Sequence, residues 1–312
     1  MPVFNDLITR TGVESLIPTE YSSKIIQDAV EESAVLRMAT RLPNMTSAML
    51  SMPVLNSLPF AYFVNGDTGL KQTTKVEWGN KIITAEEIAV IVPVPDAVLA
   101  DASFDVWGQV QPLVRQAFGQ VIDNAILRGI NKPASWPTAI VTDATSKGNV
   151  LAATEDGFAD IMGADGLIAK VEEDGYLVNG YIGSLKSRAH LRGIVDQNGQ
   201  PLFRTGMNGG TSYQLDGQRI EFPRNGSMPN DGALLIAGDW SKLVYAIRQD
   251  ITVTRSNQAV ITDADGKVIY NLYQQDMTAL RFVMRLGWQL PNPANAMGIA
   301  DAYPFAVLNP TA

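Results

Sequence analysis

Cysteine is absent from these 312 residues and histidine occurs once. The first absence excludes a disulfide framework, a thiolate metal site and a thiol nucleophile. The second leaves His190 as the sole imidazole, on a short helical stretch between Arg188 and Arg192. A triad also needs a nucleophile and an orienting group beside the base, so His190 reads as a solvated residue. No apolar run approaches the ~20 residues of a membrane-spanning helix. The amino terminus, MPVFNDLITRTGVE, lacks the basic start and apolar core of a secretory signal. No P-loop, dinucleotide fingerprint or nucleophile elbow occurs. Asp263-Ala264-Asp265-Gly266 opens like a calcium loop, but Lys267 takes the next ligand position and no late glutamate follows, so it reads as a hairpin turn. Excess positive charge is missing too. With 24 Lys and Arg against 32 Asp and Glu, the net charge is -8, which argues against a surface that grips phosphates. The chain therefore offers no catalytic residue, no metal ligand and no cofactor site, and a reducing cytoplasm is its expected place of synthesis.

What is present describes a folded chain: 46% hydrophobic and 18% charged residues, in a length that allows two domains or one elongated one. The organising stretch runs from Val76 to Gly129. From Ile82 to Val94 it is dense in β-branched residues, with Ile82, Thr84, Ile88, Val90, Val92 and Val94 on one face of a period-2 pattern. Read as one strand it would be about 40 Å long. A helix of roughly 38 Å follows. Ser103 is its expected N-cap, with Asp105 in the first turn, and Arg128 and Gly129 form its stop. Val110, Val114, Ala117, Val121 and Ala125 form an apolar stripe, thickened by Leu113, Phe118, Ile122 and Ile126. Pro112 lies inside and should kink the helix against Gly108.

Taken in order, residues 1–18 hold few core-formers and read as an extended arm. A helix is expected from Thr19 to Thr40, ended by Pro43. Residues 48–80 look like a β-hairpin with the tip Asn65-Gly66-Asp67-Thr68-Gly69. Pro53 and Pro59 make its first limb an edge. Phe60, Tyr62, Phe63 and Trp78 need burial, either against another copy of the protein or against the chain's own core. After the polar loop NKPASWPTAIVTDATSKG, a helix from about Thr154 to Gly175, the strand YLVNGYI and a short helix capped by Ser184 follow. Next come the turn-rich DQNGQPLF, the Asp216-Gly217 turn into QRIEFP, and the strands ALLIAGDW, KLVYAIRQ and ITVTRS. Two long strands in DADGKVIYNLYQQDMTALRFVMRLGWQL and the closing PNPANAMGIADAYPFAVL complete the chain. Strands alternating with helices suggest a mixed sheet with helices on its faces.

This order of parts resembles the major capsid proteins of tailed bacteriophages, the Hong Kong 97-like family. Four segments carry the resemblance: the strand-to-helix run ITAEEIAVIVPVPDAVLADASFDVWGQVQPLVRQAFGQVIDNAILRG, the turn DQNGQPLF, the stretch that closes in Gly238-Asp239-Trp240-Ser241, and YQQDMTALRFVMRLGWQLPNPANAMGIADAYPFAVL. It implies an α+β Hong Kong 97-like capsid fold with an N-terminal arm (1–18) and a peripheral-domain helix and strand (19–47). An E-loop hairpin (48–80) and a peripheral domain with a long spine helix (81–131) would follow, then an axial domain (132–272) and return strands (273–312).

The implied function is the structural subunit of an icosahedral phage head, built from hexamers and pentamers of itself. Phe4, Phe60, Tyr62, Phe63 and Trp78 would make the intersubunit contacts. Relatives with a built-in scaffold carry a long charged helical segment ahead of the arm. The resemblance therefore leaves two alternatives, a separate scaffolding protein or a chain already processed, with Met1 against processing. A portal is the other implied partner, and the resemblance leaves open whether a decoration protein binds. The shell would enclose DNA without reading its sequence and would touch no membrane. Some relatives join Lys to Asn across subunits. Lys71, Lys75, Asn292 and Asn295 fall in the corresponding regions, but no glutamate follows Asp276 to act as base. The rival readings are an encapsulin shell of the same fold and, from another class, a carboxylate-dependent α/β enzyme.

Overall fold

A computed structural model describes residues 33–64, 70–102, 105–154, 156–194, 214–229, 232–294, 297, 299 and 301–310. The proposed arm, most of the helix expected over Thr19–Thr40, the hairpin tip and DQNGQPLF lie outside these residues.

Two sheets organise what is described. The central one has four strands, in the order Thr40–Arg41, Val244–Ser256, Met277–Gln289 and Glu86–Pro95. Its two 13-residue strands run antiparallel, with register shifts between Ile247 and Thr252. KLVYAIRQ and ITVTRS are thus one bent strand, the irregularity falling where Asp250 interrupts the ladder. Leu280, Phe282, Met284 and Leu286 alternate along Met277–Gln289 and join Val114, Phe118, Ile122 and Ile126 of the long helix in the main core. Period 2 on one side and period 3.6 on the other place these apolar rows against each other.

The second sheet has six strands, in the order Val150–Ala152, Phe305–Asn309, Leu235–Gly238, Gly180–Gly183, Gln218–Glu221 and Gln214–Leu215. Its core joins Leu167, Ile168 and Val171 to Tyr181, Leu235 and Leu308. The Gly238-Asp239-Trp240-Ser241 turn ties the sheets together. Asp239 accepts hydrogen bonds from Asn179 Nδ2 at 2.6 Å and from the Ser241 amide at 3.2 Å. Trp240 is buried edge-on against Phe305, 4.9 Å between ring centroids, and donates to the Gly180 carbonyl.

Several expectations change. The long strand is two strands, Glu77–Thr84 and Glu86–Pro95, parted at Ala85. The first pairs with Met49–Ser57, the second with Met277–Gln289, so the chain changes partner while its alternation continues. The helix is likewise preceded by a separate turn, Asp96–Asp101, and runs from Val106 to Leu127 with Asp105 as N-cap. Ser103 lies outside the described residues. The helix is unbroken through Pro112, and the atoms nearest a Cβ at Gly108 belong to Asp105, not to the proline ring.

Its buried face carries Val114, Phe118, Ile122, Ala125 and Ile126, while Leu113, Ala117 and Val121 face solvent. The stripe is therefore turned by one residue. The polar loop after it contains a helix, Ile140–Lys147, ended at Gly148 with φ +82°. The span expected as one helix to Gly175 is two, Gly157–Met162 and Leu167–Glu173. The helix Ala34–Met38 starts at Ser33, whose hydroxyl accepts from the Leu36 amide, so the described part of the expected Thr19–Thr40 helix is one short turn.

Candidate assembly surface

The hairpin Met49–Ser57 and Glu77–Thr84 is antiparallel, and its register defines two faces. Leu50 opposite Ile83, Met52 opposite Lys81 and Val54 opposite Gly79 make one face. Met49 opposite Thr84, Ser51 opposite Ile82, Pro53 opposite Asn80 and Leu55 opposite Trp78 make the other.

The base of the first face is covered by the chain itself. Ile83 is fully buried among Met45, Ala85, Val244 and Ala246. Three polar contacts fix the pivot: Gln289 Nε2 donates to the Ile82 carbonyl at 3.0 Å, Trp136 Nε1 to the Thr84 carbonyl at 3.2 Å, and the Ala85 amide to the Ala48 carbonyl at 2.9 Å. Gly287 permits the approach, because a Cβ there would strike the Thr84 carbonyl and come within 2.6 Å of Ile83 Cγ2. Trp136 packs edge-on against Trp288, 6.5 Å between centroids, behind this junction.

The second face has no such cover. Met49 is 61% exposed, Ile82 47% and Trp78 70%, and beyond the paired strands Phe60 at 65%, Tyr62 at 38% and Phe63, fully exposed, are open as well. Single exposed apolar side chains are ordinary, but a contiguous row of them marks a contact surface. Of the five residues expected to make intersubunit contacts, Phe60, Tyr62, Phe63 and Trp78 are exposed on the hairpin segment. Phe4 lies outside the described residues. Sequence reasoning missed Met49 and Ile82, although both lie on the period-2 face that Trp78 defines. The Tyr62 ring is held by a contact between its hydroxyl and the Gln72 backbone, and the Phe60 amide donates to Thr74 Oγ1 at 3.3 Å. The distal hairpin is thus braced internally while its aromatic surface stays open.

Two of the groups considered for Lys-to-Asn joining, Lys75 and Asn292, are engaged otherwise. Lys75 Nζ lies 2.6 Å from Glu77 Oε1. Asn292 donates to the Ala302 carbonyl at 2.6 Å and accepts from the Tyr176 hydroxyl. Asn295 lies outside the described residues. His190 Nε2 is buried without a partner beside Gly157, and no cluster of metal-binding side chains occurs among the described residues.

One polar site was not anticipated. Asp123, on the buried side of the long helix, accepts from the Ser33 hydroxyl at 2.5 Å, the Ala34 amide at 2.9 Å, the Val35 amide at 3.2 Å and Asn225 Nδ2 at 2.9 Å. Burial raises its carboxyl above the ordinary range, against the pull of these four donors. The carboxylate caps the helix Ala34–Met38 from outside and ties Ser33 to the long helix. A lone aspartate on an apolar helix stripe was the available signal, since burial of an acid demands partners.

The chain is similar to known proteins over nearly its whole length. The family model described as "Phage capsid family" matches residues 14–299. The major capsid protein of Staphylococcus phage 80alpha is 28% identical over 314 residues, which cover 99% of this chain and 90% of that protein. A solved structure from Microbacterium phage Oxtober96 is 38% identical, with a TM-score of 0.84 over 98% of this chain and 100% of the other. One from Mycobacterium phage Adephagia is 32% identical, with a TM-score of 0.82 over 98% and 99%.

Proposed function

The chain belongs to the phage capsid family, and from that premise we propose how its surfaces build a shell. It is the major capsid protein of a tailed phage, with the Hong Kong 97-like fold, and a structural subunit instead of an enzyme. Copies of it assemble into the multimeric shell of the virion.

The finer reading is ours. Residues 48–80 act as an E-loop that lies on a neighbouring copy within hexamers and pentamers. The central sheet and long helix form the peripheral domain, and the six-stranded sheet lies in the axial domain. Assembly takes place in the host cytoplasm with a separate scaffolding protein, a portal and a decoration protein, around DNA that is enclosed without base recognition. The observation that carries this reading is the exposure of Met49, Ile82, Trp78, Phe60 and Phe63 on a hairpin whose base is fixed. Full burial of each large apolar side chain is worth roughly 1.5–3 kcal/mol. Modest contacts repeated around every subunit make a closed shell persistent.

The test is the pair Phe63→Ser and Trp78→Ser in the full chain. The isolated subunit should unfold as the unmodified one does, within about 0.5 kcal/mol, because exposed side chains contribute little to it. Electron microscopy should show particles from the unmodified chain and loose subunits from the variant. Normal shells from the variant would refute the role of the hairpin face.

A further inference from the structure

Asp123 receives donors from two parts of the chain, and only one of them is needed to cap a helix. On one side stand Ser33, Ala34 and Val35, at the start of the short helix Ala34–Met38. On the other stands Asn225, in the crossover that leaves the six-stranded sheet after Glu221 and returns to it at Leu235. Both parts use the same atoms. Oδ2 accepts from the Ala34 amide and from Asn225 Nδ2, each at 2.9 Å, while Oδ1 accepts from Ser33 and Val35. Asn225 is held in this orientation from behind. Its Oδ1 accepts from the Ser227 amide at 3.1 Å and the Ser227 hydroxyl at 2.7 Å, which leaves Nδ2 aimed at the carboxylate. Ser33, Asp123, Asn225 and Ser227 are all buried, so a donor that loses this acceptor is costly.

A second tie joins the same two segments. Arg37, in the last turn of the short helix, forms an ion pair with Glu221 at 3.3 Å, and Glu221 is the last residue before the crossover. The helix is thus attached to the crossover at its near end through Asp123 and to the six-stranded sheet at its far end. On one side it is held by these ties instead of close packing, because a cleft of about 350 Å³ lies among Ser33, Leu36, Asp250 and Ile251. That space gives the helix room to shift once a tie is cut.

We propose that Asp123 is a coupling joint: the bonds that hold Ser33–Val35 and the bond that holds the crossover at Asn225 support each other through one carboxylate, so displacing either segment loosens the other. When Asn225 withdraws, Oδ2 keeps a single donor and the carboxylate is free to rotate, which weakens the bonds to Ala34 and Val35 together. The coupling is reciprocal by thermodynamic necessity. It belongs to the single subunit, so its test does not depend on the shell reading. In a shell it would carry a displacement of the six-stranded sheet to the start of the helix Ala34–Met38.

The test is amide hydrogen exchange, followed by NMR on the unassembled full-length chain. Asn225→Ala leaves every donor of residues 33–35 in place. It should nevertheless speed exchange of the Ala34 and Val35 amides at least about fivefold relative to the amides of Phe305–Asn309. Ser33→Ala should in turn speed exchange of the Ser227 amide, whose acceptor is Asn225. Pro229→Ala loosens the same crossover without removing any bond of the joint, and should leave the Ala34 and Val35 rates as they are. Combining Ser33→Ala with Asn225→Ala separates coupling from two independent losses. The urea midpoint of the double variant should fall clearly less than the sum of the two single shifts, because the second change acts on a joint already broken. Unchanged exchange at Ala34 and Val35 in Asn225→Ala overturns the proposal, as do equal acceleration in Pro229→Ala or additive midpoint shifts. If Asn225→Ala does not fold, Ser33→Ala alone decides, and a Ser227 amide exchanging at its original rate overturns the proposal.

Discussion

Replacing Asp123 by alanine would strip a buried cap of its only acceptor and leave four donors facing a void. Those donors are the Ser33 hydroxyl, the Ala34 and Val35 amides and the Asn225 amide. Each buried donor left without a partner costs about 1–3 kcal/mol. Two effects reduce the total. The carboxylate's own burial penalty disappears with it. Water can also enter from the cleft of about 350 Å³ lined by Ser33, Phe118 and Ile122. The net loss should be about 3–5 kcal/mol, the range for removing one partner from a buried charged network.

Asparagine is the more informative change. Its oxygen can serve one side of the site, but its NH2 must then face either the Ala34 and Asn225 donors or the Val35 amide. A loss of about 1–3 kcal/mol is expected. Urea unfolding of the unassembled subunit, followed by tryptophan fluorescence, measures both. The pH dependence has a defined sign. Burial raises the folded pKa above 3.8, so as pH rises through that value the unfolded state releases its proton first. Stability then falls until the folded group also ionises, and is flat beyond. Asp123→Asn should remove that slope. A loss below about 1 kcal/mol for Asp123→Ala, at unchanged denaturant dependence, would refute the capping account.

Other outcomes follow from single contacts. Gly287→Ala should cost about 1–3 kcal/mol by overpacking the backbone of Thr84, and should raise amide hydrogen exchange in Met49–Ser57, whereas unchanged exchange would show that the hairpin base does not depend on this approach. Gly108→Ala should be neutral or stabilising by up to about 1 kcal/mol, because the group it meets is the movable Asp105 side chain, and a clear loss in denaturant unfolding would contradict this. Deleting Met1 to Glu14 should leave circular dichroism and the melting temperature of the subunit nearly unchanged while particles are lost or mis-sized, and sedimentation showing normal shells would remove the arm from assembly.

Local chemistry was legible where a few residues decide it. Gly129 stands at φ +74° just past the long helix, Ser184 caps Leu185–Gly193, and Asp216-Gly217 turns with both φ angles positive. What could not be read depended on partners distant in the chain. The break at Ala85 leaves no trace in the alternation, because Ile82, Thr84, Ile88 and Val90 stay in phase while the hydrogen-bonded neighbour changes. The long helix is apolar on adjoining faces. Only the position of the central sheet decides that Val114, Phe118 and Ile122 go inside while Leu113, Ala117 and Val121 stay out. Asp123 meets Ser33 across 90 residues, a contact no local pattern signals. For the assembly surface, period 2 and aromatic content located the exposed row, and the shared register added Met49 and Ile82 to it.

The division of the hairpin into a fixed base and an open distal face has an energetic consequence. A two-stranded hairpin alone is marginal in water, and its distal aromatics have no core of their own to hold them. Anchoring at Ile82 by Gln289 and at Thr84 by Trp136 and the Gly287 approach fixes the direction of the strands before any neighbour arrives. Ordering entropy that binding would otherwise oppose is then already spent in folding, so more of the burial free energy of Trp78, Phe60 and Phe63 remains for association. The same exposure is a hazard for the free subunit, since an open edge with apolar side chains invites pairing in the wrong register. Pro53 removes a donor from the first strand, and Lys81 places a charge on the opposite face of the hairpin. Both features oppose stacking of hairpins on one another and leave the apolar face free for a surface of different shape, which is what a closed shell of identical subunits requires.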